Sequence, residues 1–162
     1  MSFEPLMGAG WAIQAHVALA LVALVLGPVA IWRTRRDRVH KRVGYVWVVV
    51  LAGAALVSFA IPSSFTPFGA GPVHLLSVYA LCSLTVALRA IWRGDAMRHQ
   101  AVMHNLYLRG VVLAGVLTLL PGRVLQRSLF PQVPELGLVV IAAVLVWLCA
   151  PLWRGAVRVG RS

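Results

Sequence analysis

From Trp11 to Trp32 the chain carries no charged side chain, and further apolar runs of similar length follow it. About 20 apolar residues are what an α-helix needs to cross the ~30 Å hydrocarbon core of a bilayer. Inside lipid every backbone N–H and C=O must be satisfied within the protein, so such a chain folds as packed helices. The runs predict spans over Trp11–Trp32, Val43–Ile61, about Val73–Trp92, a fourth reaching Leu120, and a shorter fifth over Gly137–Trp153. The expected fold is therefore all-α and integral to the membrane, with five transmembrane helices in a single domain. The first four form a four-helix bundle core over about 11–122, and the fifth covers about 137–153.

The segments between the runs say which way the helices point. Arg33, Arg35, Arg36, Arg38, Lys41 and Arg42 crowd the link between the first two runs. Short basic loops stay in the cytoplasm. With the N-terminus outside, these six, together with Arg89, Arg93, Arg98, Arg154, Arg158 and Arg161, put twelve of the fifteen basic residues inside. Arg123 and Arg127 fall on the outer side. The expected location is a bacterial inner membrane, N-terminus outside and C-terminus cytoplasmic. The first run has no basic segment before it and no evident cleavage site after it, so it reads as a retained helix.

A net charge of +11 would suggest nucleic acid if the chain were soluble. Only 12% of residues are charged, however, about half the usual share. Those charges sit between apolar runs, where topology and anionic headgroups account for them. No nucleic acid partner is expected. Cys82 and Cys149 both lie inside apolar runs and form no Cys-x-x-Cys pair.

Punctuation residues mark the helix ends. Asp37 is a candidate N-cap for the second helix, and Gly94-Asp95 a turn and cap for the fourth. Pro28 is placed to kink the first helix near its inner end. Pro62 to Pro72 and the stretch reaching Glu135 read as outer loops, and Pro121-Gly122 as a helix stop. Ala52, Gly53, Ala54 and Ala55 form a small-residue patch suited to close helix packing.

The residues able to carry chemistry are mostly histidines. By depth, His16 on the first helix and His74 on the third stand near the outer face. His40 on the second helix and His99 on the fourth stand near the inner face, with His104 slightly deeper. Helices one and three run parallel, as do two and four, and in a four-helix bundle such pairs lie across the diagonal. Two diagonal histidine pairs suit two bis-histidine b-type haems, because low-spin haem iron takes two axial imidazoles and bundle cores house such sites. The expected ligands are His16 with His74 and His40 with His99, and His104 is the alternative to His99. The plain alternative is that helix-end histidines sit among headgroups. Met103 shares a face with His99 and reads first as core packing. A zinc or copper site from His16 and His74, or from His40, His99 and His104, is a weaker alternative, since no carboxylate or thiol joins them.

Arg109 lies ten residues past His99, about 15 Å along a helix. That depth makes an arginine costly and calls for a partner: a haem propionate, an anionic substrate or backbone carbonyls. All four acidic residues lie at helix ends or in loops, so no intramembrane acid supplies it. Arg42, Arg98 and Arg123 are further candidates to steady propionates. No nucleotide-binding glycine motif, catalytic triad or zinc-protease motif occurs.

Several pieces together resemble a family of predicted bacterial membrane proteins, the domain of unknown function 2306. They are His40-Lys41-Arg42-Val43-Gly44-Tyr45, Ser58-Phe59 with Ile61, and Gly71-Pro72-Val73-His74-Leu75-Leu76-Ser77. Gly94-Asp95 with His99, Met103 and Tyr107, then Leu120-Pro121-Gly122-Arg123, complete them. His16 with Gly27-Pro28 is similar to that family's first helix, and Arg109 departs from it. The resemblance implies the membrane architecture and no particular activity. The histidine layout also resembles transmembrane diheme b-type cytochromes, a likeness of architecture only.

The functional expectation is a small b-type cytochrome or haem-dependent electron-transfer subunit working with a redox partner. The rival is a non-catalytic subunit or assembly factor of a larger membrane complex, and the third reading is a metal or small-solute transporter.

Overall fold

The computed structural model describes residues 4–33, 35–62, 71–120, 123–129, 136–143 and 146. Its elements are α1 (Glu4–Met7), α2 (Trp11–Trp32), α3 (Arg38–Ser58), α4 (Pro72–Trp92), α5 (Ala96–Asn105), a π-helical segment (Leu106–Val112), α6 (Leu113–Leu117) and α7 (Val124–Leu129). No strand occurs among the described residues. Three of the helices, α2, α3 and α4, are long and apolar enough to cross a membrane. The fourth expected span is helical from 96 to 117 but passes through the π segment at its middle.

The chain forms two compact units, Ala9–Gly115 and a second made of Met1–Gly8 with Val116–Ser162. In the first unit α2 packs on α3, α3 on α4 and α4 on α5, and the π segment closes the ring against α2 and α4. Helices adjacent in sequence are neighbours in space, as short connections require. The register of α2 on α3 is antiparallel. His16 meets Ala54 and Trp47 meets Ala23, so seven residues forward on one helix correspond to seven back on the other.

The interior of this unit is built from small residues. Ala23, Ala30, Ala55, Ala80 and Ala87 are buried with Trp47, Leu51, Leu84, Met103, Leu106, Tyr107 and Val111. In lipid, burial gains little from the hydrophobic effect, and close backbone approach with good packing holds helices together. Alanine permits that approach, and Trp47 and Tyr107 fill the space left over. The outward faces carry Val25, Val49, Leu56 and Leu75, all well exposed. A helix apolar on its outer face as well as its inner one is matched to lipid and mismatched to water.

The caps follow the sequence. Asp37 Oδ1 accepts the His40 N–H at 3.0 Å, and Asp95 Oδ1 accepts the Arg98 N–H at 2.9 Å. Gly94, at φ +79°, makes the left-handed turn that lets α4 double back into α5.

In the second unit α1 packs on α7. α7 forms within the stretch up to Glu135 that the sequence marks as a loop. Residues 136–143 are helical, and the rest of the expected fifth span lies outside the described residues. So do Cys149, Pro121-Gly122 and the basic tail at Arg154, Arg158 and Arg161.

Candidate functional site

Pro28 organises the middle of the first unit. It lies inside α2 and has no N–H, so the carbonyl of Leu24 one turn earlier loses its helical donor. The Tyr107 hydroxyl donates to that carbonyl at 3.0 Å. The ring reaches it because Gly27 has no side chain. A Cβ there would stand 2.0 Å from Tyr107 Cε2. One helix over, the Trp47 indole N–H donates to the Ala23 carbonyl at 2.8 Å. Trp32 closes the cluster edge-on to both Tyr107 and His104. Tyr107 belongs to the π segment, where the extra residue per turn re-aims side chains.

At the end bearing the Arg33–Arg42 segment, His99 Nδ1 lies 2.9 Å from the Ala87 carbonyl oxygen. A carbonyl only accepts, so Nδ1 carries the proton and donates. In neutral imidazole this leaves Nε2 with its lone pair free. His40 stands in the first turn of α3, in charge range of His99. Its Nδ1 is buried and makes no hydrogen bond. One turn along α3, Gly44 has open space where a Cβ would be. Arg36 reaches across from the α2–α3 link to Gln100 Oε1 at 3.4 Å, which ties α5 to this end.

Outside the membrane-spanning segments, Arg33 and Asp37 form an ion pair. The Arg33 hydrogen bond, with the His40 N–H second, holds the Asp37 carboxyl well below the usual carboxylate range. The same contact raises the Arg33 guanidinium above its ordinary value.

At the opposite end His16 Nδ1 donates to the Ala54 carbonyl at 2.8 Å, so its Nε2 is also free. His74 differs. Its Nδ1 accepts the Gly71 N–H at 3.1 Å, which puts the proton of the neutral ring on Nε2. The His74 ring leans on Phe59, and nearby Ser58 Oγ meets Ser77 Oγ at 2.6 Å. His74 thus caps α4, a role that the Pro at the first helical position signals without specifying its donor.

Three further sequence-predicted residues are placed as follows. Met103 is buried in the core, as its packing reading expects. His104 is half-buried against Trp32. The side chain of Arg109, for which a partner is expected, is exposed on the π segment. No hydrogen bond or ion pair reaches it among the described residues. Leu106, Tyr107, Gly110 and Val111 take the inward positions of the π segment. No group of three or more metal-ligating side chains occurs among the described residues. That bears on a zinc-type cluster, whereas a haem takes only two imidazoles.

Apolar outward faces, a small-residue interior and helices of crossing length define an all-α integral membrane protein. The family model described as predicted membrane protein, domain of unknown function 2306, matches residues 13–153, and the chain belongs to that family. Comparison with curated proteins and with solved structures returned no match.

Proposed function

We propose that the chain is a small b-type cytochrome or haem-dependent electron-transfer subunit whose principal site is His40 with His99. The observation that carries this reading is the state of the two rings. A metal-bound histidine almost always donates its other ring N–H to a carbonyl or carboxylate, which fixes the ligating tautomer. His99 is held in that manner by Ala87, and His40 offers a buried nitrogen with no partner beside it. The open face at Gly44 leaves room for a flat group at this level. His40 and His99 would supply the axial nitrogens, and Arg42 and Arg98 stand at the same end to meet propionates. A haem iron held between two imidazoles exchanges one electron and has no open position for substrate.

His16 and His74 form the second site of the same proposal. His16 carries the ligating tautomer already, and His74 reaches it by giving up the Gly71 N–H. The proposed setting is the bacterial inner membrane with the N-terminus outside, which puts His40 and His99 on the cytoplasmic side.

A test is haem content after expression with ample haem. Wild type should carry haem b at one to two per chain. His99→Ala and His40→Ala should each lose the cytoplasmic-side haem while keeping a folded, monodisperse protein. A haem-free wild type would refute the proposal.

One observation favours the second reading, a subunit or assembly factor of a larger membrane complex. Arg109 faces outward in the middle of a span with no acid of this chain at its depth. A partner helix bearing a carboxylate would satisfy it.

A further inference from the structure

The turn from α4 into α5 holds a cleft of about 270 Å³ lined by Val86, Arg89, Ala90, Arg93, Asp95 and Arg98. Val86, Arg89, Ala90 and Arg93 recur along α4 at three- and four-residue spacing, so they share one face. That face is apolar at Val86 and Ala90 and basic at Arg93, where α4 ends. Three guanidiniums and one carboxylate leave the cleft with a net charge of +2. The Asp95 carboxylate already accepts the Arg98 backbone N–H.

Local stability accounts for part of this set. Arg89 and Arg93 stand at the C-terminal end of α4, where a cation meets the negative pole of the helix. Arg98 is the third residue of α5, where a cation meets the positive pole and is disfavoured. Its charge adds to that of the helix end instead of cancelling it. An anion held by Arg98 would offset both its charge and the positive pole of α5.

We propose that this cleft binds the phosphate of an anionic phospholipid, with doubly charged headgroups preferred over singly charged ones. Arginine is suited to phosphate because its planar fork offers two parallel donors. The apolar floor continues down α4 in the direction an acyl chain takes into the bilayer, which favours a lipid over a soluble phosphate. The cleft shares Arg98 with the haem proposal but contains none of its axial ligands, so loss of lipid binding in Arg89→Gln or Arg93→Gln is read separately from haem content.

The test is native mass spectrometry of the detergent-purified protein with added cardiolipin, phosphatidylglycerol or phosphatidylcholine. Parallel titrations use inorganic phosphate. The expected order is cardiolipin above phosphatidylglycerol, with phosphatidylcholine retained least. Arg89→Gln, Arg93→Gln and Arg98→Gln should each lower cardiolipin occupancy several-fold, and the triple variant should bring it to the phosphatidylcholine level. Lys41→Gln, at the same end but outside the cleft, should leave it unchanged. Size-exclusion profiles and melting temperatures establish that the variants are folded. Equal retention of all three lipids, or undiminished cardiolipin binding in the folded triple variant, would overturn the proposal. So would saturable inorganic phosphate binding without lipid selectivity.

Discussion

Gly27→Ala is the sharpest test of how the membrane bundle is packed. The new Cβ would lie 2.0 Å from Tyr107 Cε2 and 2.4 Å from Cδ2. Carbon atoms rest at about 3.5–4.0 Å, so the ring must move by about 1.5 Å or α2 must move away. The ring has little freedom, because its hydroxyl is tied to Leu24 and Trp32 stands edge-on to it at 5.6 Å. Overpacking of this kind costs about 1–3 kcal/mol. Losing the hydroxyl bond adds about 0.5–1.5 kcal/mol. Alanine's better helix propensity returns about 0.8–1.0 kcal/mol. The net expectation is a loss of about 0.5–3.5 kcal/mol. With Tyr107→Ala the ring is gone, and Gly27→Ala should turn neutral or stabilising by up to about 1 kcal/mol. The assay is reversible unfolding in mixed micelles, followed by tryptophan fluorescence for both single variants and the double. An equal penalty for Gly27→Ala with and without the Tyr107 ring would refute the packing argument.

Tyr107→Phe should cost about 1 kcal/mol, between the ~0.6 kcal/mol common for interhelical bonds in a bilayer and the larger penalty of a bare buried carbonyl. In a Pro28→Ala background that cost should shrink, since residue 28 then supplies Leu24 with its helical donor; the same unfolding cycle reads it. Asp37 gives a pH signature. Its folded carboxyl is depressed by Arg33 first and the His40 N–H second, so its contribution is full above about pH 5 and lost as the pH falls toward the folded value. The melting-temperature gap between wild type and Asp37→Asn should therefore be constant above about pH 5 and close as the pH is lowered further. High salt should narrow it, because the pair is exposed and screened. His74→Asn, which removes the ring that accepts the Gly71 N–H, should fray the start of α4, read as faster amide hydrogen exchange at Gly71 and at residues 73–75.

How much of this was legible in the sequence depends on the distance over which each feature is encoded. The spans and caps are local. Trp11–Trp32 is bounded by its own interfacial tryptophans, and Asp37 and Asp95 cap helices three residues away. The Pro28–Leu24–Tyr107 contact joins residues 83 positions apart, and nothing near either residue announces the other. Its trace in the sequence is the pairing of Gly27 with Pro28, which marks a weak point in a helix but not what fills it. The π segment was illegible for a related reason. Nothing local in Leu106–Val112 marks a departure from 3.6 residues per turn. Which end of its helix each histidine occupies follows from its place in the apolar runs, whereas the tautomers rest on which carbonyl or N–H each ring meets. Ala87 serves His99 from across a turn, and Gly71 claims His74 from the same helix end. α7 escaped because the prolines around it signal a loop, and a helix of 6 residues leaves little periodicity to read.

The measurement that tests the central claim most directly is the absorption spectrum of the purified protein, air-oxidised and then dithionite-reduced, with haem quantified on the same sample. The account predicts the sharp reduced bands of a six-coordinate b-type haem, at up to two per chain, with His99→Ala removing the contribution of the His40 site. A flat spectrum after expression with ample haem would contradict it.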